Sequence, residues 1–294
     1  MKTVLITGAS SGIGEQLARL YALKGYNEVL VARRGELLNR IKDELMSKYH
    51  IDINCFPCDL AKNPKSVYDY CVENNIKVDI LINNAGYGDY GKFIDADIDK
   101  VLGMIELNNK SLVALTYYFV KEMKENGGGH ILNVGSVASF VPGPYMAVYY
   151  ATKSFVLSFS AAIREELRKD KIKVSVLCPA PTKSPFWDVA GSTTTAVYNN
   201  YFARTSAQAA KTGVDAIEKN KLYCIDGIIY KIGILLARHL PIGLSARIIG
   251  LVQSKTKEKN WHQFFLYTSI INENVISNWS ILFSFSLSTG EVVL

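Results

Sequence analysis

The chain of 294 residues is short of the residues that build unusual scaffolds, with five cysteines, four histidines and eight prolines. An odd number of cysteines in a chain long enough to bury its own core argues against a disulfide framework and for a reducing compartment. His50, His130, His239 and His262 are scattered, none in the H-x-x-x-H spacing that sets two imidazoles on one helix face. No metal site is therefore expected. The net charge is +6, yet no block of like charges occurs. With no recognisable RNA- or DNA-binding signature either, nucleic acid is not an expected partner.

Long apolar runs are missing as well. Before Thr7-Gly8 there is only Val4-Leu5-Ile6, against the roughly 7–15 apolar residues of a secretory signal. The most apolar later stretch, Tyr230 to Leu251, is broken by Lys231, Arg238, His239, Pro241 and Arg247. A membrane span needs about 20 uninterrupted residues. A cytoplasmic protein without a targeting segment is expected. No internal repeat is evident.

What is present is an ordinary globular composition, 49% hydrophobic and 20% charged, carrying an alternation of two periods. Short apolar runs at Lys2–Thr7, Glu28–Ala32, Ile51–Cys58, Ile80–Asn83, His130–Val134 and Lys173–Cys178 read as strands. Amphipathic stretches at Gly12–Lys24, Gly35–Tyr49, Lys65–Asn74, Asp99–Glu125 and Val148–Lys169 read as the helices between them. Alternation of this kind predicts a doubly wound, Rossmann-like α/β fold, with a mostly parallel sheet of about seven strands in a single domain and helices on both faces. Residues 1–190 are expected to form a dinucleotide-binding and catalytic core. Residues 191–258 are expected to supply a substrate lid and further helices (Ser206–Asn220, Ile228–His239, Leu244–Lys257), with a short strand near Leu222–Ile225. Residues 259–294 form an extension with no assignable role.

In such open sheets ligands bind beyond the carboxyl ends of the strands, and the informative residues fall there. Thr7-Gly8-Ala9-Ser10-Ser11-Gly12-Ile13-Gly14 joins a strand to a helix. Gly8 permits the sharp turn, Gly12 a close approach of pyrophosphate to backbone, and Gly14 close packing of helix on strand, so that Ser10, Ser11 and Ile13 meet a phosphate at a helix N-terminus. After the second strand the acidic residue of NAD-binding proteins is replaced by Ala32, and Arg33 and Arg34 follow. A guanidinium fork suits a ribose 2′-phosphate, which predicts NADP rather than NAD. Tyr149 and Lys153 share a helix face at i, i+4 spacing. A neighbouring ammonium is expected to lower the tyrosine pKa toward the working pH, as general acid–base catalysis needs. Ser136 lies across a strand-to-helix loop, where its hydroxyl can hold a carbonyl oxygen. Tyr150 is an adjacent residue of the same type and less well spaced, three from Lys153 and 14 from Ser136.

In these motifs the chain resembles the short-chain dehydrogenase/reductase family, closely over residues 1–190 and more loosely to about 255. The glycine motif, Asp59-Leu60, Asn83-Asn84-Ala85-Gly86, Asn108, Ser136, Tyr149-x-x-x-Lys153 and Pro179 occur in the family's order. The resemblance implies an NADP(H)-dependent oxidoreductase interconverting a carbonyl and a secondary alcohol, acting as a reductase. It adds Asp59, Leu60, Asn84, Ala85, Gly86, Pro179, Thr182 and Ser184 to the cofactor-binding set. It gives Lys153 the nicotinamide ribose and gives Asn108 a water in a proton relay. It also implies a homodimer or homotetramer built on the long helices. Two residues depart from the family: Ala180 stands where glycine usually follows Pro179, and Ser184 where threonine is usual.

Four readings remain beside this one. A non-catalytic NADP-binding regulatory module would normally lack the tyrosine or lysine that this chain keeps. Phe186, Trp187, Val189, Tyr198, Tyr201 and Phe202 either line a site for a partly apolar ketone or 3-oxoacyl substrate or pack the lid or a subunit contact. Cys55-x-x-Cys58 lacks the second pair of ligands a zinc site needs and reads as strand residues. Tyr230 to Lys259, with Lys231, Arg238, Arg247, Lys255, Lys257 and Lys259 against Glu258, reads first as a packing helix pair and second as a basic amphipathic segment for an anionic membrane surface.

Overall fold

The computed structural model describes residues 1–191 and 203–254. Tyr198, Tyr201, Phe202, His262 and the extension 259–294, like Lys255, Lys257 and Lys259, lie outside the described residues. Met1–Ser254 forms one compact unit.

The chain opens with strand β1 (Thr3–Thr7), helix α1 (Gly12–Leu23), β2 (Asn27–Ala32), α2 (Gly35–Lys48), β3 (Ile53–Pro57), α3 (Lys65–Glu73) and β4 (Ile80–Asn83). Then come α4 (Ile98–Ile105), a π-helical turn (Glu106–Lys110), α5 (Ser111–Glu125), β5 (Gly129–Val134), α6 (Ala147–Glu166) and β6 (Ile172–Cys178). A two-residue strand β7 (Thr182–Lys183), α7 (Phe186–Ala190), β8 (Arg204–Thr205), α8 (Ser206–Glu218), β9 (Tyr223–Ile225), α9 (Ile228–Ala237) and α10 (Ile242–Gln253) complete it. Seven strands form one sheet in the order β3-β2-β1-β4-β5-β6-β9, and every pair in it is parallel. The doubly wound Rossmann-like fold expected from the alternation is the one observed.

Successive side chains of a strand point to opposite faces, and the sheet has two cores accordingly. Val4, Ile6, Leu30 and Ile82 pack with Leu17, Leu38 and Val214 from α1, α2 and α8. Leu5, Val29, Val31 and Leu81 pack with Val67, Leu115 and Phe119 from α3 and α5. With both faces covered, the strands are near-continuous apolar runs, as buried parallel sheets require. Cys55 joins the first core and Cys58 the second. The C-x-x-C pair therefore straddles the sheet and cannot close on one ligand.

Four elements differ from the sequence expectation. The helix expected over Asp99–Glu125 is interrupted by the π turn, where Asn108 and Asn109 are both buried and the Asn109 amide donates to the Thr152 carbonyl oxygen at 3.0 Å. A π turn bonds i to i+5 and shifts the helical phase by about one residue at a single turn, too little to break the helical reading of the whole apolar run. Strands β7 and β8 are too short to show a period. Helix α7 follows directly on Pro185, where the close spacing of Pro179, Pro181 and Pro185 reads as loop. The start of α8 was legible: Thr205 and Gln208 form a reciprocal capping box, the T-x-x-Q signature of a helix N-terminus.

Candidate active site

Strand order reverses at β1, with β2 on one side and β4 on the other. A crevice opens at the carboxyl ends of the strands there. Gly8 and Gly12 sit at φ 65° and 61°, left-handed backbone that favours glycine. A Cβ on Gly14 would strike the Gly8 carbonyl oxygen, because α1 packs directly on the turn. The Asn84 amide donates to the Thr7 carbonyl oxygen at 2.8 Å. The Thr7 hydroxyl oxygen accepts from the Asn84 and Ala85 N–H groups at 2.9 and 3.0 Å. The glycine turn and the loop after β4 are thereby held as one wall.

In front of Gly12 a Cβ would meet nothing nearer than the Ser184 Cβ, at 3.5 Å. Ser11 precedes α1 without a side-chain cap bond, so the first N–H groups of the helix face the crevice with the positive end of its dipole. Arg34 donates from Nη2 to the Ser10 and Ser11 hydroxyl oxygens, both at 3.0 Å. Arg33 is exposed beside it. An open glycine turn, uncapped N–H groups and two guanidiniums form a cradle that fits a dinucleotide with an additional phosphate.

Ser136, Tyr149 and Lys153 converge beyond β5. Ser136 caps the 3-10 turn Val137–Phe140, accepting from the Ala138 N–H at 3.1 Å. Lys153 is 5% exposed. Its Nζ donates to the Val134 carbonyl oxygen at 2.8 Å and lies 5.8 Å from the Tyr149 ring centre. Burial pushes the Lys153 ammonium down to about 8. Burial also pushes the Tyr149 phenol up to about 12, opposed by its hydrogen bond with Ser136. The expected lowering of the tyrosine pKa is thus not produced by the chain alone, because desolvation of the phenolate outweighs the hydrogen bond with Ser136.

Asn108, 2% exposed, lies behind this group. Its Oδ1 accepts from the Tyr87 N–H at 3.1 Å, and its Nδ2 donates to the Tyr87 carbonyl oxygen at 3.0 Å and to the Thr152 hydroxyl at 3.1 Å. A Cβ on Gly86 would stand 2.9 Å from Asn108 Oδ1 and 3.5 Å from Lys153 Nζ. The side chain therefore fixes the loop after β4 against α6.

The crevice has a volume of about 500 Å³. Every residue expected from the sequence to be catalytic or cofactor-binding lines it except Gly14 and Asn108, which lie behind its wall. Asp59, which accepts from the Ala61 N–H at 3.2 Å, and buried Leu60 close the end beside β3. Pro179, Thr182 and Ser184 close the other. The Thr182 carbonyl oxygen accepts from Trp187 Nε1 at 2.8 Å, anchoring α7. The Phe186 ring lies 5.4 Å from that of Tyr149.

Sequence reasoning missed Tyr90, Met146 and Gln253, which also line the crevice. The Tyr90 hydroxyl donates to the Gln253 carbonyl oxygen at 2.5 Å, and the Gln253 amide meets the Tyr150 hydroxyl. These contacts bring the end of α10 to the crevice from far along the chain, and no local pattern announces them.

Comparison with known proteins agrees with this geometry. Residues 2–194 match the family model described as short chain dehydrogenase. The chain is 33% identical over 174 residues to the very-long-chain 3-oxoacyl-CoA reductase of Coprinopsis cinerea, covering 58% of this chain and 51% of that protein. It spans about half the length of the first relatives of that name. It is 34% identical over 192 residues to the NADP-dependent 3-hydroxy acid dehydrogenase of Schizosaccharomyces pombe, covering 63% and 73% of the two chains. Among solved structures, the short-chain dehydrogenase from Sphingobium yanoikuyae in complex with NADPH superposes with a TM-score of 0.73 at 28% identity, covering 82% of this chain and 97% of that one.

Proposed function

The chain belongs to the short-chain dehydrogenase family, and from that premise we propose that it is an NADP(H)-dependent oxidoreductase that reduces a partly apolar ketone or 3-oxoacyl group to a secondary alcohol. The observation that carries this reading is the convergence of Ser136, Tyr149 and Lys153 at the end of a glycine cradle edged by Arg33 and Arg34. NADPH, when bound, supplies the hydride. Ser10, Ser11, Arg33 and Arg34 hold the 2′-phosphate, and Gly8, Gly12 and Ile13 admit the pyrophosphate. Asp59 and Leu60 flank the adenine. Asn84, Ala85 and Gly86 line the central wall, and Pro179, Thr182 and Ser184 line the nicotinamide end. Gly14 allows α1 to pack beneath.

Reduction of a carbonyl requires a proton on its oxygen. Tyr149, whose phenol burial keeps protonated at neutral pH, donates it. Ser136 orients the carbonyl oxygen. Lys153, largely protonated below about 8, stabilises the phenolate left behind and reaches the nicotinamide ribose. Asn108 acts as a positioning residue, through its hold on the loop after β4.

Helix α7 supports the apolar substrate class, since Phe186 stands against Tyr149 and packs edge to face with Trp187. So does the likeness to very-long-chain 3-oxoacyl-CoA reductases. All five cysteines are free, in keeping with a cytoplasmic enzyme. Exposed Tyr117 on α5 and Phe155 on α6 support a homo-oligomer built on the long helices.

The test is NADPH consumption over a panel of aryl ketones and 3-oxoacyl thioesters, with Tyr149→Phe as control. Turnover abolished by the substitution, with NADPH binding retained, supports the reading. Equal turnover by the variant refutes it.

A further inference from the structure

Among the described residues, helix α9 is unlike every other long helix, because none of its residues is buried. Tyr230 and Ile234 lean on the small core formed by Val176, Cys178 and Ile225. On the opposite side Ile228, Ile229, Ile232, Leu235 and Leu236 follow i, i+1, i+4, i+7 and i+8 spacing, which is one continuous stripe. All five are exposed, Ile228 by 67% and Leu236 by 66%. The favoured sequence reading, a helix pair with its apolar side packed away, does not hold for α9. Its apolar residues exceed what one face of the core accepts, and the surplus faces outward.

The charge around the stripe has one sign. Lys231 and Arg238 stand on its flank, Arg247 is exposed on α10, and no aspartate or glutamate occurs between Asp226 and Glu258. None of these three cations is in an ion pair with another of the described residues. An exposed apolar stripe with a purely cationic border is the pattern of a helix that lies in the plane of an anionic bilayer, with side chains in the acyl boundary and ammonium and guanidinium groups at the headgroups. A self-associating face would gain nothing from excluding acidic residues and would set like charges against one another. Among the described residues no helix is long and apolar enough to cross a membrane, so attachment through α9 is to the surface.

We propose that α9 is an interfacial docking helix, by which the protein binds reversibly to anionic membrane surfaces. The proposal does not depend on the enzymatic reading.

The test uses the full chain in vesicle flotation, with phosphatidylcholine alone and with phosphatidylcholine containing about a third phosphatidylserine, an anionic mixture of the cytoplasmic-leaflet kind. Binding is expected only to the anionic vesicles and is expected to fall with salt. The double substitution Ile232→Asp and Leu236→Asp should weaken it at least about tenfold. Lys231→Gln with Arg247→Gln should weaken it about fivefold per charge. Circular dichroism melting of each variant separates loss of docking from loss of fold. Absence of binding to anionic vesicles overturns the proposal, as does binding that the α9 substitutions leave unchanged. A dimer that those substitutions dissociate, with no vesicle binding by the parent, also overturns it and assigns the stripe to a second copy of the chain.

Discussion

The carboxyl ends of β1 to β6 and the outer side of α9 belong to one compact unit and obey opposite rules. At the strand ends, polar groups are placed by backbone geometry: a left-handed Gly8, an uncapped α1, and Asn84 tied to Thr7. Each depends on its neighbours within about a side-chain length, so one substitution disturbs several. On α9 the apolar side chains project singly into the surroundings, and a substitution there changes what the surface attracts and little else. The comparison separates residues whose chemistry the fold enforces from residues whose chemistry the fold merely displays.

The largest effect expected is that of Tyr149→Phe, with kcat for ketone reduction down ~10²–10⁴-fold, the usual contribution of a positioned general acid. Leu236→Asp should leave the same turnover within about twofold, since α9 lies outside the reaction. Comparable losses in the two variants, measured on a water-soluble ketone, would erase the distinction.

Two glycines sharpen it. Gly14→Ala drives a methyl into the Gly8 carbonyl oxygen and should cost about 3 kcal/mol in urea unfolding. Gly233→Ala on α9 meets nothing within 4 Å and should stabilise by about 0.5–1 kcal/mol through helix propensity.

Buried charge gives a third comparison. Burial pushes the Glu28 carboxyl up to about 9 at the amino end of β2. The folded state therefore holds a proton that the unfolded chain releases above about 4.5, so stability falls as pH rises through that window, by on the order of 3 kcal/mol at pH 7. Glu28→Gln should recover part of this, with its advantage over the parent growing from pH 5 to pH 9. An advantage independent of pH would contradict a buried neutral carboxyl.

The smallest effect concerns Lys153. Its protonated form serves the reduction, so kcat/KM should be level at neutral pH and decline above about 8. A profile that is level to pH 10 would remove Lys153 from the proton balance.

Most of the fold was legible because the sheet is parallel and buried on both faces, so its strands are unbroken apolar runs separated by full helices. The candidate site was legible for a related reason, since an open sheet collects its ligand groups at strand ends, where Gly8, Arg33, Asn84, Ser136 and Pro179 all fall. What escaped was not local. Gln253 reaches the crevice through tertiary packing of α10. The π turn at Asn108 shifts the helical phase by only about one residue, which a run of apolar spacing does not betray. The depressed Lys153 and raised Tyr149 follow from desolvation, which a sequence does not display. The apolar stripe of α9 was visible as a pattern, but the same spacing describes a helix facing a core, so only its exposure distinguishes the two.

The account stands most directly on the cradle between the glycine turn and the two arginines, and one titration tests it. Intrinsic fluorescence quenching by NADPH and by NADH is compared in the parent and in Arg33→Ala. The account predicts tighter binding of NADPH, reduced about tenfold or more in the variant with NADH nearly unaffected, as loss of a charge-assisted phosphate contact requires. Equal binding of the two nucleotides, or none of either, would contradict it.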